Sequence, residues 1–392
     1  MIARLSLLFV ALVALAGCGA LSSPDPPVQT FTPADVTLST PALSPTALAQ
    51  STAILPLATP KMQITATPTA ELGPMPSVTP LSRATATAVP SLAPEYSYPI
   101  AWPGRAPGDG FFIRHGYAVE NTWFNPNYWH TGEDWYALDE DTAGAAIYAI
   151  AAGEVVYVGA NYPGRVVIVQ HRVDLFSMYG HLDPNVAVQT GQQVKRGALL
   201  GTVLRRSDNV PNHLHFEVRT FLTTGEVNGA APRYGFRCGI NCPPGPGYWP
   251  IAAPDHPGDQ GWRNPTHLIA QRAFPAGSTG ALGKAAVVSA PISSSLTLWS
   301  APPASAEQAQ SLGELTLQPG ARFSLLTIQA GLEDSRTTGA NAYQLWYEVA
   351  LDDGRRAWLH AAVASDFETG NDGRPSTVRF NLVPWLATET GG

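Results

Sequence analysis

The stretch His213-Leu214-His215-Phe216-Glu217 is the most informative part of the sequence for the fold, because it alternates polar and apolar residues as a half-buried β-strand does. Successive side chains of a strand point to opposite faces, so both histidines and the glutamate are predicted to share one face. Leu214 and Phe216 would anchor the other face in the core. Two imidazoles on one face suit a metal ligand and a partner of the reacting water, but a strand that merely carries histidines on its polar side fits the same pattern.

A second pattern lies upstream, where the sequence His130-Thr131-Gly132-Glu133-Asp134 gives the spacing H-x-G-x-D. A catalytic zinc ion takes three protein ligands, drawn from imidazole and carboxylate groups, and keeps a fourth position open for water. His130 and Asp134 could supply two of these ligands and His215 the third. Gly132 would let the backbone turn close to the ion. A polar loop cluster without a metal would show the same short pattern.

A third pattern, Tyr179-Gly180-His181-Leu182, adds one more imidazole directly after a strand-like run. A single histidine in such a place is more often structural than functional. His181 therefore becomes a candidate only in combination with the two other patterns.

The region around these patterns is rich in β-branched and aromatic residues that are separated by Gly and Pro turns. This composition predicts strands, with no amphipathic helix longer than a couple of turns. The predicted strands cover residues 147–158, 165–170, 194–203 and 213–220. The aromatic cluster from Trp123 to Tyr136 either shapes a groove or belongs to the core. We therefore expect an all-β, mainly antiparallel protein.

Taken together and in this order, the three patterns resemble those of the lysostaphin-type (LytM-like) zinc metallopeptidases. The strand and glycine turn of 148–155, the strand of 164–171 and the segment of 194–201 extend the resemblance. It implies a LytM-like β-sandwich, a duplicated hybrid motif, over residues 96–272. An insertion over 221–262 departs from a minimal domain of the family and is expected to border the groove.

The resemblance also implies a role for each matching residue. His130, Asp134 and His215 would bind one Zn²⁺, whereas His181 and His213 would line the reactive groove without binding the metal. Zinc would lower the pKa of a bound water toward about 7. Either His181 or His213 would then accept the water proton, and the other would hydrogen-bond the oxyanion of the tetrahedral intermediate. The sequence does not distinguish which does which.

The activity that the resemblance implies is hydrolysis of peptide cross-links or stem peptides of bacterial peptidoglycan. The alternative is a non-catalytic regulator of a cell-wall amidase, a class in which one or more zinc ligands are usually missing. All five groove residues are present here, which favours the enzyme. Glu217 is either a partner that orients a neighbouring histidine or a solvated strand residue. The remaining histidines are expected to be structural or exposed: His115, His171, His256, His267 and His360.

The N-terminus predicts an envelope protein. A short basic start and an apolar run precede Leu15-Ala16-Gly17-Cys18, which resembles the lipobox of bacterial lipoproteins. Residues 1–18 are thus predicted as a signal peptide that ends in a lipidated Cys18, which would anchor the chain to a membrane. Residues 19–95, rich in Pro, Thr, Ser and Ala, are predicted to be a disordered tether, because such a segment buries too little apolar area to fold.

The C-terminal third is again strand-like, with a hairpin signal at Asp353-Gly354. Residues 291–367 resemble bacterial SH3 domains, small β-barrels often found beside wall hydrolases. A linker over 273–290 and a tail over 368–392 complete the predicted organisation.

The charge and the cysteine content of the chain limit the partners, disulfides and metal sites that can be expected. The formal net charge of −7 provides no basic field for phosphates, so no nucleic-acid partner is expected. Cys238 and Cys242 are close enough in sequence for an extracellular disulfide, whereas two thiols alone make a poor zinc site. The oligomeric state stays open.

Overall fold

The structure, a computed structural model, describes residues 95–122, 125–159, 164–223, 247–274, 278, 280–303, 306–334, 343–370 and 375–385. The predicted signal peptide and nearly all of the predicted tether lie outside the described residues. So do Cys18, Cys238 and Cys242, and their lipidation and disulfide stay predictions. No helix in the described ranges has the length and apolar character needed to cross a membrane.

The described chain is built almost entirely of strands, with two short helices. The strands are β1 (Ile100–Ala101), β2 (Phe111–His115), β3 (Glu120–Asn121), β4 (Asn125–His130), β5 (Glu133–Ala137), β6 (Ala146–Tyr148), β7 (Gly153–Gly159), β8 (Arg165–Arg172), β9 (Leu175–Leu182), β10 (Gln193–Val194), β11 (Leu199–Thr202), β12 (Leu214–Arg219), β13 (Tyr248–Pro250), β14 (Trp262–Arg263), β15 (Gly283–Val287), β16 (Ser295–Trp299), β17 (Ser311–Thr316), β18 (Arg322–Ala330), β19 (Leu345–Ala350), β20 (Arg356–Thr369), β21 (Pro375–Phe380) and β22 (Leu382–Trp385). The helices are α1 (Pro257–Gln260) and α2 (Pro265–Arg272).

These strands form one large sheet and two small ones. Within the described residues the large sheet has 16 strands, and its main path runs β10-β7-β8-β9-β12-β5-β2-β21-β20-β19-β18-β15-β22. The small sheets have the orders β1-β6-β11 and β13-β4-β3. The pairs beside β12 are antiparallel, as are those that join the two halves of the large sheet. The expected all-β, mainly antiparallel class is confirmed.

One core lies between the β1-β6-β11 sheet and the large sheet. Ile147 and Leu200 of the small sheet belong to the same buried cluster as Val167, Tyr179 and Phe216 of the large sheet. Burial of apolar side chains from both layers stabilises this part of the chain as a two-layered β-structure. The polar ends of β5, β9 and β12 are thereby held at fixed positions.

Strand β12 shows the alternation that its sequence predicts. Leu214, Phe216 and Val218 are fully buried in the apolar core. His215 and Glu217 point to the other face, where their side chains contact each other. That face is also buried, because the C-terminal half and the described part of the predicted insertion cover it.

The described part of the insertion adds strand β13 and helix α1. Strand β13 pairs with β4 and brings Tyr248 opposite His130. Helix α1 begins after His256, whose side chain accepts a hydrogen bond from the Gly258 amide. The insertion thus borders the predicted metal site on the side of β4.

The C-terminal half continues the large sheet. Strand β21 pairs with β2 through Ile113 and Val378, so both halves share one hydrogen-bonded sheet. The segments expected as a linker over 273–290 and as a tail over 368–392 are corrected in part, because β15 lies in the first and β21 and β22 lie in the second. Buried apolar residues explain these strands: Val287, Val378, Phe380, Leu382 and Val383.

The hairpin predicted at Asp353-Gly354 is confirmed. It joins β19 to β20, and Gly354 adopts a φ of 84° that residues with a Cβ rarely adopt. The Gly354 amide donates a hydrogen bond to the Leu351 carbonyl and closes the turn.

Candidate metal centre

Three neighbouring strand ends bring the predicted ligands together. His130 is the last residue of β4, Asp134 lies in β5 and His215 lies in β12. Strands β5 and β12 pair with Asp134 directly opposite His215. All three side chains are buried, so the sequence order His130, Asp134, His215 becomes one compact cluster.

The ligand atoms of the cluster point at one another. The Nε2 atom of His130 lies 3.0 Å from Nδ1 of His215 and 3.2 Å from Oδ1 of Asp134. Nδ1 of His215 lies 3.0 Å from the same oxygen. One ligand atom from each residue lies within 4.8 Å of the others, as a shared metal ion requires.

In each imidazole of the cluster, one ring nitrogen makes a hydrogen bond outside the cluster and the other nitrogen faces the other ligand atoms. Nδ1 of His130 lies 3.3 Å from the Gly116 carbonyl, to which it can donate only as N–H. Nε2 of His215 lies 3.1 Å from Oε1 of Glu217 and donates to that carboxylate. In the neutral rings, the nitrogens that face the centre therefore carry lone pairs.

The donor set fits a zinc ion. Two imidazole lone pairs and one carboxylate oxygen converge without a hydrogen atom between them in these tautomers. In a tetrahedral site with bonds of about 2.0–2.1 Å, ligand atoms are separated by about 3.3 Å. The observed separations of 3.0 and 3.2 Å are close to that value.

The charges around the cluster are strongly coupled. Burial alone would raise the pKa of Asp134, but His130, His213 and His115 hold it well below its ordinary value. Burial acts to lower the pKa of His215, yet the hydrogen bonds that its protonated ring makes to Asp134 and Glu217 raise this pKa to about 9. The cluster thus favours a positive charge at its centre.

Glu217 orients His215 instead of being solvated. Its carboxylate is fully buried and accepts hydrogen bonds from the Thr131 hydroxyl, 2.8 Å, and from the indole nitrogen of Trp262, 3.1 Å. Arg219 donates to it as well, at 3.0 Å. Burial would raise the pKa of Glu217, but His215 and Arg219 lower it below its usual range. This residue is an ionised acceptor that fixes the ring of His215.

Gly132 is required by close packing between strands. A Cβ at this position would lie 2.4 Å from the Phe216 carbonyl oxygen and 2.9 Å from Cγ of Glu217. The glycine of the H-x-G-x-D pattern therefore allows the chain to pass close to β12. The structure therefore shows that Gly132 is needed for close strand packing, and not for a turn past the ion.

His213 and His181 lie beside the cluster. Nε2 of His213 is 3.8 Å from Oδ1 of Asp134, and its Nδ1 lies 2.9 Å from the Pro211 carbonyl, to which it donates. The rings of His181 and His213 meet edge to face with centroids 4.7 Å apart. His181 has a φ of 61°, a strained backbone conformation that places its side chain at the end of β9.

The aromatic cluster divides between core and site. Trp135 is fully buried in the core, where it stacks on Phe380 with ring centroids 5.4 Å apart. Tyr136, one residue along β5, stacks on the imidazole of His213 at 4.8 Å. Trp123 and Phe124 lie outside the described residues.

Two residues that the sequence patterns did not indicate lie close to the ligands. His115 is buried, and its Nδ1 lies 3.3 Å from Oδ2 of Asp134. Glu133 is fully buried and accepts hydrogen bonds from the Thr266 amide, the Trp135 indole and the Tyr343 hydroxyl. Only the position of Glu133 inside the H-x-G-x-D pattern could have indicated it. His115 is the last residue of β2 and lies outside all three sequence patterns.

The other histidines are structural. His171 contacts the Ala152 carbonyl and the Ser177 hydroxyl, and burial lowers its pKa to about 4. His256 caps helix α1. His267 bridges two backbone segments, and His360 stacks on Trp346 with centroids 4.2 Å apart. None of these four belongs to the His130–Asp134–His215 cluster.

One part of the chain matches a known protein family. Residues 129–229 match the sequence model of Peptidase family M23, and all five predicted site residues fall inside that range. The match begins at the end of β4 and continues past β12.

Two relatives match a short part of the chain. The uncharacterized lipoprotein YgeR of Escherichia coli strain K12 is 37% identical over 78 residues, which cover 19% of this chain and 30% of the relative. The murein hydrolase activator NlpD of Salmonella dublin is 37% identical over 78 residues, which cover 19% of this chain and 20% of the relative. The chain thus spans less than a third of the length of either.

Two solved structures align with parts of the chain. A zinc containing peptidase from Vibrio cholerae is 28% identical, with 32% of this chain and 36% of that chain covered and a TM-score of 0.24. The antimicrobial peptidase lysostaphin from Staphylococcus simulans is 15% identical, with 70% and 94% covered and a TM-score of 0.27.

Proposed function

We propose that the chain is a zinc-dependent endopeptidase that hydrolyses peptide cross-links or stem peptides of bacterial peptidoglycan. The observation that carries this proposal is the convergence of three ligand atoms, from His130, Asp134 and His215, at mutual distances of 3.0 to 3.2 Å. The match of residues 129–229 to a peptidase family supports it.

His130, Asp134 and His215 would hold the zinc ion. When bound, zinc acts as a Lewis acid and lowers the pKa of water toward about 7, which makes a nucleophile available at neutral pH. Three protein ligands leave one position for water or substrate, as catalytic zinc sites require. Glu217 and the Gly116 carbonyl fix the ring orientations of the two histidines.

His213 is the proposed general base. Its Nδ1–H donates to the Pro211 carbonyl, so Nε2 of the neutral ring carries the lone pair and lies on the side of Asp134. Stacking on Tyr136 holds the ring in this position. Nε2 can accept the proton of the attacking water and return it to the leaving amine.

His181 is the proposed donor to the oxyanion of the tetrahedral intermediate. Its ring lies 4.7 Å from that of His213 and 6.2 Å from that of His215, between centroids. The side chain is thus close to the reacting atoms without belonging to the ligand cluster. A donor placed there would stabilise negative charge as it develops on the substrate.

A non-catalytic regulator of a cell-wall amidase is the second candidate. It is favoured by the similarity to a relative whose name is murein hydrolase activator. A regulator needs the fold of the groove but no turnover, so zinc binding alone does not separate the two candidates.

Residues 84–392, the unit that contains all described strands, provide the test. We expect the purified protein to bind one zinc ion and to release soluble peptides from cell-wall sacculi. His130→Ala should abolish both properties, whereas His256→Gln, a change at a helix cap, should leave them in place. Cleavage that persists without zinc would contradict the mechanism. Zinc binding without cleavage, together with activation of a purified amidase, would establish the regulator.

The proposed location is the outside of a membrane. Cys18 would carry the lipid anchor, and residues 19–95 would let the enzyme reach the peptidoglycan. The similarity to a relative named as a lipoprotein supports this assignment. Residues 291–367 would act as a bacterial SH3-like module that contacts the wall, and Cys238 and Cys242 would form a disulfide in the insertion.

A further inference from the structure

We infer that the C-terminal half of the chain helps to position the metal ligands, through Tyr343 and Glu368. This inference rests on the proposed zinc centre and goes beyond it, because both residues lie more than a hundred positions after the last ligand, His215. They are positioning residues: they contact neither the ligand atoms nor the reacting groups.

The first connection runs from Tyr343 to His130. The Tyr343 hydroxyl accepts a hydrogen bond of 2.6 Å from the Tyr117 amide. Its ring packs so closely on Gly116 that a Cβ there would lie 2.8 Å from a ring carbon. The Gly116 carbonyl in turn accepts the hydrogen bond of Nδ1 of His130. Tyr343 thus holds the backbone that orients this imidazole.

The same hydroxyl also reaches the residue beside Asp134. It donates to Oε1 of Glu133 over 3.1 Å, and this carboxylate also accepts the Thr266 amide. Tyr343 is buried, so loss of these bonds would leave polar groups without water to replace them. One phenol therefore contacts both the backbone that orients His130 and the residue that precedes Asp134.

The second connection runs from Glu368 to Asp134 through His115. Oε2 of Glu368, in β20, lies 3.5 Å from Nε2 of His115, an ion-pair distance. Neither atom has a hydrogen-bond partner among the described residues, so this ion-pair contact is the polar contact available to both. The other ring nitrogen of His115 lies 3.3 Å from Oδ2 of Asp134, the carboxylate oxygen that faces away from the ligand cluster. Arg114 donates to Oε1 of Glu368 and holds its carboxylate in place.

The first connection reaches the proposed ligand His130 through hydrogen bonds, whereas the second reaches Asp134 through the ion-pair contact of Glu368 with His115 and the hydrogen bond between His115 and Asp134. Loss of such an outer partner typically reduces metal affinity by about 10- to 100-fold. Hydrogen-bonded strands also join the two residues of this connection. Strand β2, which ends at His115, pairs with β21 through Ile113 and Val378, and β21 pairs with β20, which carries Glu368. The C-terminal half is thus part of the support of the site as well as a neighbouring module.

The test measures zinc affinity of the full chain, purified in detergent, by competition with a chromophoric chelator. We expect Tyr343→Phe and Glu368→Gln each to weaken zinc binding by about tenfold. Because both connections support the same cluster, the double variant should bind zinc more weakly than either single variant. Circular dichroism and thermal melting of the zinc-free proteins should show the same fold for all variants.

Matched controls come from the same sheet. Tyr347→Phe removes a buried hydroxyl that faces Tyr98, and Glu348→Gln removes a carboxylate that pairs with Arg356. Both should bind zinc as the unchanged chain does. Unchanged zinc affinity in Tyr343→Phe and Glu368→Gln would overturn the inference and leave the proposed function intact. Failure of the unchanged chain to bind zinc would instead overturn the proposed function. Because Glu368→Gln alters only a partly buried side chain, it tests the inference even if Tyr343→Phe does not fold.

Discussion

At the scale of single residues, His213 differs from the two proposed histidine ligands in its distance from the ligand cluster. His130 and His215 each use the outer nitrogen to donate a hydrogen bond and turn the inner one to the centre. His213 does the same with the Pro211 carbonyl, but its Nε2 remains 3.8 Å from Asp134 and outside the cluster. Its position suits proton transfer better than metal binding.

Replacement of His213 should therefore separate turnover from zinc binding. We expect His213→Ala to keep its zinc while kcat falls by about 10²- to 10⁴-fold, the usual contribution of general acid–base catalysis. Zinc content measured by atomic absorption, alongside release of peptides from sacculi, checks this. His360→Gln, a change in the C-terminal sheet, serves as the control. Loss of zinc in His213→Ala would show that the residue is a ligand, contrary to our assignment.

The residues of the His130–Asp134–His215 cluster could be predicted from the sequence because each lies in a local pattern. Strand alternation places His215 and Glu217 on one face, and the structure confirms this for both. His115 could not be predicted, because its contact with Asp134 arises only from pairing between β2 and β5. Tyr343 is even more remote, and no short pattern relates it to Glu133. Long-range pairing therefore decides which residues support the site.

At the scale of strands, Gly132 defines how closely β5 and β12 can approach. The absence of a side chain leaves room for the Phe216 carbonyl, which a Cβ would meet at 2.4 Å. A methyl group cannot be accommodated by a side-chain movement here, because the obstacle is backbone. The pairing of Asp134 with His215 depends on this approach.

Gly132→Ala should thus disturb both stability and metal binding. We expect the free energy of unfolding to fall by about 1–3 kcal/mol, the usual cost of overpacking, and zinc affinity to fall with it. Chemical denaturation with and without zinc measures both effects. Gly283→Ala is the matched control, because a Cβ at Gly283 meets no atom within 4 Å. Equal stability of the two variants would argue against the proposed close approach.

The sequence predicted strands more reliably than the way they assemble. Alternation and turn residues indicated β8 and β12 within about two residues of their observed bounds, whereas the run predicted over 147–158 contains β6 and β7, which lie in different sheets. Strands β21 and β22 were missed, because a segment after the predicted barrel gave no turn signal comparable to Asp353-Gly354. The apolar residues of these two strands are buried only by contact with the rest of the large sheet. A local sequence pattern does not predict such long-range contacts.

At the scale of the whole molecule, His267 joins helix α2 to the C-terminal half. Its Nδ1 donates to the Leu332 carbonyl, and its Nε2 accepts from the Gln344 amide. The ring must be neutral to accept that bond. Burial lowers the pKa of His267 to about 4, although the bond to Leu332 opposes the shift.

The stability of the molecule should therefore decrease in mild acid. Below a pH of about 6.5 the unfolded chain protonates this imidazole while the folded chain does not, so the unfolded state gains protons and stability falls. The loss grows until the pH reaches about 4, where the folded ring also titrates, and amounts to on the order of 3 kcal/mol. Thermal melting of zinc-free protein between these pH values measures it.

His267→Gln isolates this contribution from that of the other buried histidines. The variant should be less stable at neutral pH, where the bond to the Gln344 amide is impaired, and its stability should depend less steeply on pH. Chelator in every sample removes any contribution from zinc release. Equal pH dependence in both proteins would show that His267 is not held neutral by the fold.

Mass spectrometry of the fragments released from purified sacculi tests directly whether the chain hydrolyses peptides of the wall. We predict that the zinc-bound chain produces soluble fragments with new amino and carboxyl termini inside the peptides, and that His181→Ala and His213→Ala, with zinc bound, release at least about 10²-fold less. A zinc-bound, folded chain that releases no peptide fragment would contradict it.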